Sequence, residues 1–393
     1  MTPNSLPQYH DFHHDGEQAL SRDKSEIRDN VRNHHIGKLK KIGATSAIIA
    51  EAVIGLYAWD VSVVDSQLAE THASLTPVYG AASSEHKDTM VVVMAGLGNR
   101  SAYATAVALP TYDRMGDVEA VTYDNKGVDP ESIARLVVQK AAAEGKKSVI
   151  LDGHSMGGLV ATAVAATIYS GDSGLKVKDV ILDCTPESFS AVRESQRTTA
   201  DNTLNMASAV PYSLESRPLR FVAEMIARYR NYVDTASLSV NLPAVLRNAQ
   251  EIVHDKLLSQ DAASGVLIGS QIGMIRKANL ANNLRTLGNT DNGKVPPMIF
   301  FQQPTEVAND TVVYDDRSRQ RLETLTNEDG LRFYTYYTDA GHANPIQVPE
   351  TYNKIAASIA VAVNEVPEIS PNILVLAYPG NTQTRAPVKV TKP

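Results

Sequence analysis

The chain has 393 residues, 43% hydrophobic and 21% charged, a balance that supplies one large core or two smaller ones and excludes disorder throughout. A formal net charge of -7 excludes a basic surface spread over the molecule and makes nucleic acid a poor partner. Cys184 is the single cysteine, so there is no intramolecular disulfide and no thiolate cluster for zinc or iron–sulfur chemistry.

Residues 1–41 are polar, charged and rich in histidine, and they read as a solvated tail. His10, His13 and His14 would need a scaffold to hold a metal, and this segment offers none. Residues 42–64 are apolar. Lys38, Lys40 and Lys41 precede them and Trp59 stands toward their far end, the pattern of a single N-terminal membrane anchor. Glu51 lies near the middle and opposes insertion by about 2 to 3 kcal/mol. The alternative is a helix packed on the following domain or on a partner, with the chain then cytoplasmic.

From Thr89 the pattern alternates. "TMVVVMAGLGN", "VEAVTYDNKG", "KSVILDGHS" and "VKDVILDCTP" read as buried strands. "PESIARLVVQKAAAEG", with Pro130 in its first turn and Gly145 at its end, and "GLVATAVAATIYSG" read as the helices between them. This order predicts an α/β fold, a mostly parallel sheet with helices on both faces. Residues 187–290 break the rhythm and read as a helical insertion. Strands resume at "PPMIFFQQP" and "LRFYTYYTDAG", and a last helix starts near Pro349. The core is thus expected at 65–186 and 291–365. Residues 366–393 form a proline-containing tail whose run "ILVLAYP" adds an edge strand or packs on the domain.

Chemistry in such sheets collects at the carboxyl ends of the strands, where "AGLGN", "GHSMGG" and "DAGHANP" fall. The turn Gly153-His154-Ser155-Met156-Gly157 between a strand and a helix forces its serine into a strained conformation and projects Oγ outward. The Met156 amide, at the positive end of the following helix, points to where an oxyanion would form. A serine at neutral pH needs a base. Of the two histidines that follow, His254 lies in a helical pattern of the insertion, whereas His342 sits just past a strand and is expected to serve. His154 adjoins the serine but diverges from it, so it packs or lines the entrance. Three acids are candidates to orient His342: Asp310 first, then Glu306 and Asp183. "GLGNRS" suggests a dinucleotide loop, but Ser101 replaces its third glycine and the serine turn would go unexplained.

"VMAGLGN", "DGHSMGG", "NDTVV" and "DAGHANPIQVPE", in the order serine, acid, histidine, resemble the α/β-hydrolase superfamily, and "GHSMGG" is similar to its esterase and lipase-like members. The resemblance covers residues 89–183 and 295–364. It implies a second oxyanion donor at the Leu97 amide, with Ala95 where many relatives carry histidine. It also implies that 187–290 form a lid. The expected activity is cleavage of a carboxylic ester, small or lipid-like, through an acyl-enzyme on Ser155, with no cofactor or metal. Acyl transfer or amide cleavage by the same residues, and a catalytically silent binding protein, are the alternatives.

Overall fold

The computed structural model describes residues 70–365 apart from 210–215, 230, 231, 235–238, 258–261, 279 and 292, and before residue 70 only 51, 54, 55, 58, 59, 62 and 63. The chain divides into two units, 1–62 and 63–393. The described residues of the first unit are helical, and Ile54 and Trp59 are exposed. The expected anchor at 42–64 falls largely outside the described residues, and among those described no helix is long and apolar enough to cross a membrane.

In the second unit β1 (Ser74–Tyr79) precedes β2 (Thr89–Met94), α1 (Tyr103–Val107), β3 (Asp117–Thr122), α2 (Pro130–Glu144), β4 (Ser148–His154), α3 (Met156–Ser170) and β5 (Lys176–Asp183). The insertion carries α4 (Glu194–Ala209), α5 (Arg217–Ala227), the short pair β6 (Val233–Asp234) and β7 (Ser239–Val240), α6 (Leu242–Glu251), α7 (Gly265–Arg276) and α8 (Leu280–Gly288). The chain then closes with β8 (Met298–Pro304), α9 (Asp315–Glu328), β9 (Arg332–Thr338) and α10 (Pro349–Glu365).

Seven strands form one sheet in the order β1-β3-β2-β4-β5-β8-β9. Only β1 runs antiparallel, against β3; every other pair is parallel. All six residues of β2 are buried, as a strand covered on both faces requires, which explains why "TMVVVM" is apolar without alternation. Sequence order reverses at β2: the chain leaves it toward β3 on one side and returns to β4 on the other. The loops after β2 and β4 therefore diverge and open a crevice between them, the place such sheets use for a site.

The helices have local causes. Asp129 caps α2 by accepting the Glu131 N–H at 3.0 Å, Pro130 starts it, and Gly145 ends it in the left-handed conformation. In α3 twelve of fifteen residues are buried, because it is covered by α2 and α8 as well as by the sheet. The second half of the insertion belongs to the same core, with Leu267, Leu280, Leu284 and Leu287 at 0 to 1% exposure.

One core residue conflicts with its surroundings. Asp179 on β5 is fully buried. Burial pushes its carboxyl up to about 7, against the pull of Lys178, Arg332 and Lys176. The folded state thus holds its proton more tightly than the unfolded chain, where the ordinary value is 3.8. Stability is lost as pH rises from that value through 7. Asp179→Asn is expected to match the wild type near pH 4 and to exceed it at pH 8, by at most about 4 kcal/mol. Thermal unfolding at both pH values tests this; parallel pH slopes for the two proteins would refute it.

Candidate active site

Ser155 occupies the bend between β4 and α3 with φ 55° and ψ -120°. Its two flanking glycines are dictated by space. A Cβ at Gly153 would strike the carbonyl of Gly157, and one at Gly157 would strike that of Met94. The bend is pinned from behind by the Ser155 N–H donating to the Asp183 carbonyl at 2.7 Å. Cys184 and Ala343, at φ 47° and 38°, are the other non-glycine residues with positive φ among those described, and both lie on loops beside the serine. Strain of this kind costs about 1 to 3 kcal/mol per residue and persists only where neighbours over-determine the backbone.

The structure brings three of the sequence-derived residues together. His342 Nε2 lies 2.8 Å from Ser155 Oγ, and His342 Nδ1 lies 2.6 Å from Asp310 Oδ2. Asp310 Oδ1 accepts the N–H groups of Val312 and Val313, each at 2.7 Å. A carboxylate only accepts, so Nδ1 must carry the ring proton and Nε2 is left to accept from the serine. The other two acids lie elsewhere: Glu306 is exposed, and Asp183 faces His154. His254 is exposed within the insertion.

Asp310 is almost wholly buried, which by itself would raise its carboxyl. The hydrogen bond from His342 leads the opposing effects and holds it below the usual carboxylate range. Asp315, at the start of α9, is shifted the other way, first by burial and then by the neighbouring Asp310. No donor reaches either oxygen of Asp315, so its carboxyl keeps its own proton and two buried acids can face each other.

Neither the Leu97 nor the Met156 amide has a hydrogen-bond partner among the described residues, so both are available to an incoming oxygen. Gly96 packs against the serine turn so closely that a Cβ there would lie 3.3 Å from Ser155 Cβ. In front of Ser155 is a cavity of about 600 Å³ with a mostly apolar wall, including Leu97, Phe189, Ile268, Ile272, Val313 and Ile346.

A sheet reversed at β2, a strained serine after β4, and a hydrogen-bonded acid and imidazole on the loops after β8 and β9 together decide the fold family. The chain has the α/β-hydrolase fold. No family model and no curated protein matches its sequence. Among solved structures it is similar to a meta-cleavage product hydrolase from Pseudomonas fluorescens, with 16% identity, 74% of this chain and 95% of that one covered, and a TM-score of 0.44. A carboxylesterase structure from Nitrososphaera gargenis gives 14%, 75%, 97% and 0.46. MenH from S. aureus gives 15%, 75%, 100% and 0.44. At these identities none of them speaks to substrate or mechanism.

Two features of this α/β-hydrolase fold escaped the sequence. His154 is buried between two carboxylates, with Nδ1 2.7 Å from Asp183 and Nε2 2.9 Å from Asp152. Burial would lower its pKa, but the charge and hydrogen bond of Asp152, then those of Asp183, push it up to about 10. The Tyr352 O–H donates to the other oxygen of Asp183 at 3.5 Å and accepts the Asn344 N–H at 3.0 Å. A polar ladder therefore ties the serine turn to the loop bearing His342. The only signal for it in the sequence is the pair of acids ending two adjacent strands, "LDGH" and "ILDC".

The second concerns metals. Cys184, Asp310 and His342 offer ligand atoms within 4.8 Å of one another. Their chemistry suits an ion poorly. Burial and the charges of Asp183 and Asp310 push the Cys184 thiol up, so no thiolate forms, and Asp310 and His342 already engage each other.

Proposed function

We propose that the protein is a serine hydrolase that cleaves a carboxylic ester through an acyl-enzyme on Ser155. One observation carries the reading: the 2.8 Å approach of Ser155 Oγ to an imidazole whose other nitrogen is held by Asp310 at 2.6 Å. As Oγ attacks the ester carbonyl, His342 takes the hydroxyl proton, and the Leu97 and Met156 amides stabilise the oxyanion. Collapse expels the alcohol with that proton. Water then attacks the acyl-enzyme with His342 again as base, releasing the acid and restoring the serine.

The mostly apolar cavity suits an uncharged acyl group, from a small or lipid-like ester. The lid expected over 187–290 is read here as a wall of this cavity, to which its described residues contribute Phe189, Ile268 and Ile272. Discharge of the acyl-enzyme to an alcohol or amine instead of water would make the protein a transferase, and product analysis with such acceptors separates the two outcomes.

A fluorophosphonate probe is the direct test. It is expected to modify the wild type at Ser155, found by peptide mass spectrometry, and to leave Ser155→Ala unlabelled. Labelling elsewhere, or hydrolysis of p-nitrophenyl butyrate retained in Ser155→Ala, would overturn the reading.

A further inference from the structure

Gln271 lies in the insertion, on α7, and its side chain is fully buried. Its Oε1 accepts the Gly98 N–H at 2.9 Å, and its Nε2 donates to the Asn99 carbonyl at 2.9 Å. A primary amide bonded in this way takes the place of a neighbouring strand, and both contacts are to the loop that follows β2. That loop is a tight turn. The Asn99 N–H donates to the Gly96 carbonyl at 3.3 Å, and Gly98 has φ 82°, the signature of a type II turn.

The two sets of bonds constrain consecutive peptide planes. The bond from Asn99 holds the Gly96 carbonyl, and the Leu97 N–H belongs to that same plane and points the opposite way. The central peptide of the turn, Leu97–Gly98, is the one whose flip distinguishes type II from type I. Its N–H is the group that Gln271 accepts.

Further bonds anchor α7 itself. The Val128 N–H donates to Ser270 Oγ at 2.9 Å, Ser264 Oγ donates to the Asn125 carbonyl at 2.6 Å, and Asn125 Oδ1 accepts the Ser264 N–H at 2.9 Å. Asn99 and Ala262 form a bridge. This part of the insertion is therefore bolted to the loops after β2 and β3, a fixed wall rather than a moving cover.

We propose that Gln271 is a positioning residue that locks the turn 96–99 so that the Leu97 amide stays aimed at the oxygen of a substrate attacked by Ser155. The inference rests on the serine-hydrolase reading above. Without the amide, the half-buried Gly98 N–H loses its acceptor and the central peptide is free to flip. The Leu97 amide then has to be ordered during each reaction instead of standing ready.

Gln271→Leu is expected to lower kcat for p-nitrophenyl butyrate about 10- to 100-fold, with KM changed less than threefold. Deuterium uptake of the segment 96–100 should rise, while the rest of the sheet exchanges as before. Gln271→Glu, whose fully buried carboxyl is expected to hold its proton, keeps an acceptor for Gly98 and a donor for Asn99, so it should recover most of the rate. It also serves as the readout where the leucine variant fails to fold. Wild-type kcat in Gln271→Leu, or a loss of rate without faster exchange at 96–100, would overturn the proposal. Failure of the hydrolase reading would look different: the wild type would turn over no ester, or Ser155→Ala would turn it over equally.

Discussion

Asp310→Asn is expected to lower kcat/KM for an activated ester about 10⁴-fold while the protein stays folded. The size of the loss follows from which way the new amide must face. Oδ1 of Asp310 accepts two backbone N–H groups, from Val312 and Val313, at 2.7 Å each. An asparagine at this position keeps those bonds only by placing its carbonyl oxygen there. Its NH₂ then occupies the Oδ2 position, 2.6 Å from His342 Nδ1. Two donors cannot share that contact, so the imidazole moves its proton to Nε2 and presents an N–H, not a lone pair, to Ser155. The general base is lost without any loss of side-chain volume.

The same two backbone bonds keep the loop after β8 in place, so circular dichroism and unfolding temperature should stay near those of the wild type. Only the stabilisation that follows from the depressed Asp310 pKa is forfeited. For an acid held below its ordinary range, that contribution is present above the unfolded value and lost as pH falls through the folded one. A variant with kcat/KM within tenfold of the wild type would show that Asp310 does not orient the base. Glu306→Gln is the internal comparison, since that side chain is exposed and makes no bond to His342.

The sheet was legible because buried strands leave a strong trace. Six apolar runs of the sequence coincide with β2, β3, β4, β5, β8 and β9, and the helices between them carry the proline and glycine signals that start and stop them. β1 left no such trace. Ser74–Tyr79 is only partly buried at the sheet edge, contains Pro77 and alternates weakly, so nothing in "SLTPVY" marks a strand until β3 is there to pair with it. Ser155 could be proposed from local chemistry alone, since a serine between Gly153 and Gly157 after a buried strand needs no distant partner to be recognised.

The acid could not be narrowed from three to one in the same way. Whether Asp310, Glu306 or Asp183 meets His342 depends on how the loops after β5, β8 and β9 close, and loop closure is set by packing rather than by propensity. Cys184 and Ala343 gave no warning of their positive φ, because neither is a glycine. Gln271 was silent for a further reason: it contacts Gly98 across 173 positions, and a glutamine in a helix of an insertion looks like any solvated residue until its surroundings are known.

The largest expected effect on stability belongs to His154, and it follows from what its removal leaves behind. The imidazole is 4% exposed and sits between Asp152 and Asp183, themselves at 0 and 1%. Both ring nitrogens face carboxylate oxygens, so both carry protons and the ring is the one cation between two anions. His154→Leu preserves an apolar volume but strands two buried charges, a change that costs about 3 to 5 kcal/mol when a buried ion pair loses one partner. Asp152→Asn, combined with His154→Leu, removes one of the stranded charges and should recover part of that loss, whereas two independent sites would add.

The pH dependence separates this from a simple packing defect. A histidine whose folded pKa is raised from 6.5 to about 10 contributes fully below 6.5 and loses its contribution as pH rises through 10. The wild type should therefore lose stability across that window, and His154→Leu should show a flatter profile there. Equal slopes between pH 6.5 and 10 would mean that His154 is neutral in the folded protein. Activity should fall as well, because Asp183 supports the serine turn through its carbonyl and the His342 loop through Tyr352 and Asn344. Since that ladder positions the reacting groups without touching them, the loss should appear as slower labelling of Ser155 by a fluorophosphonate, at a rate that tracks how far the turn has relaxed.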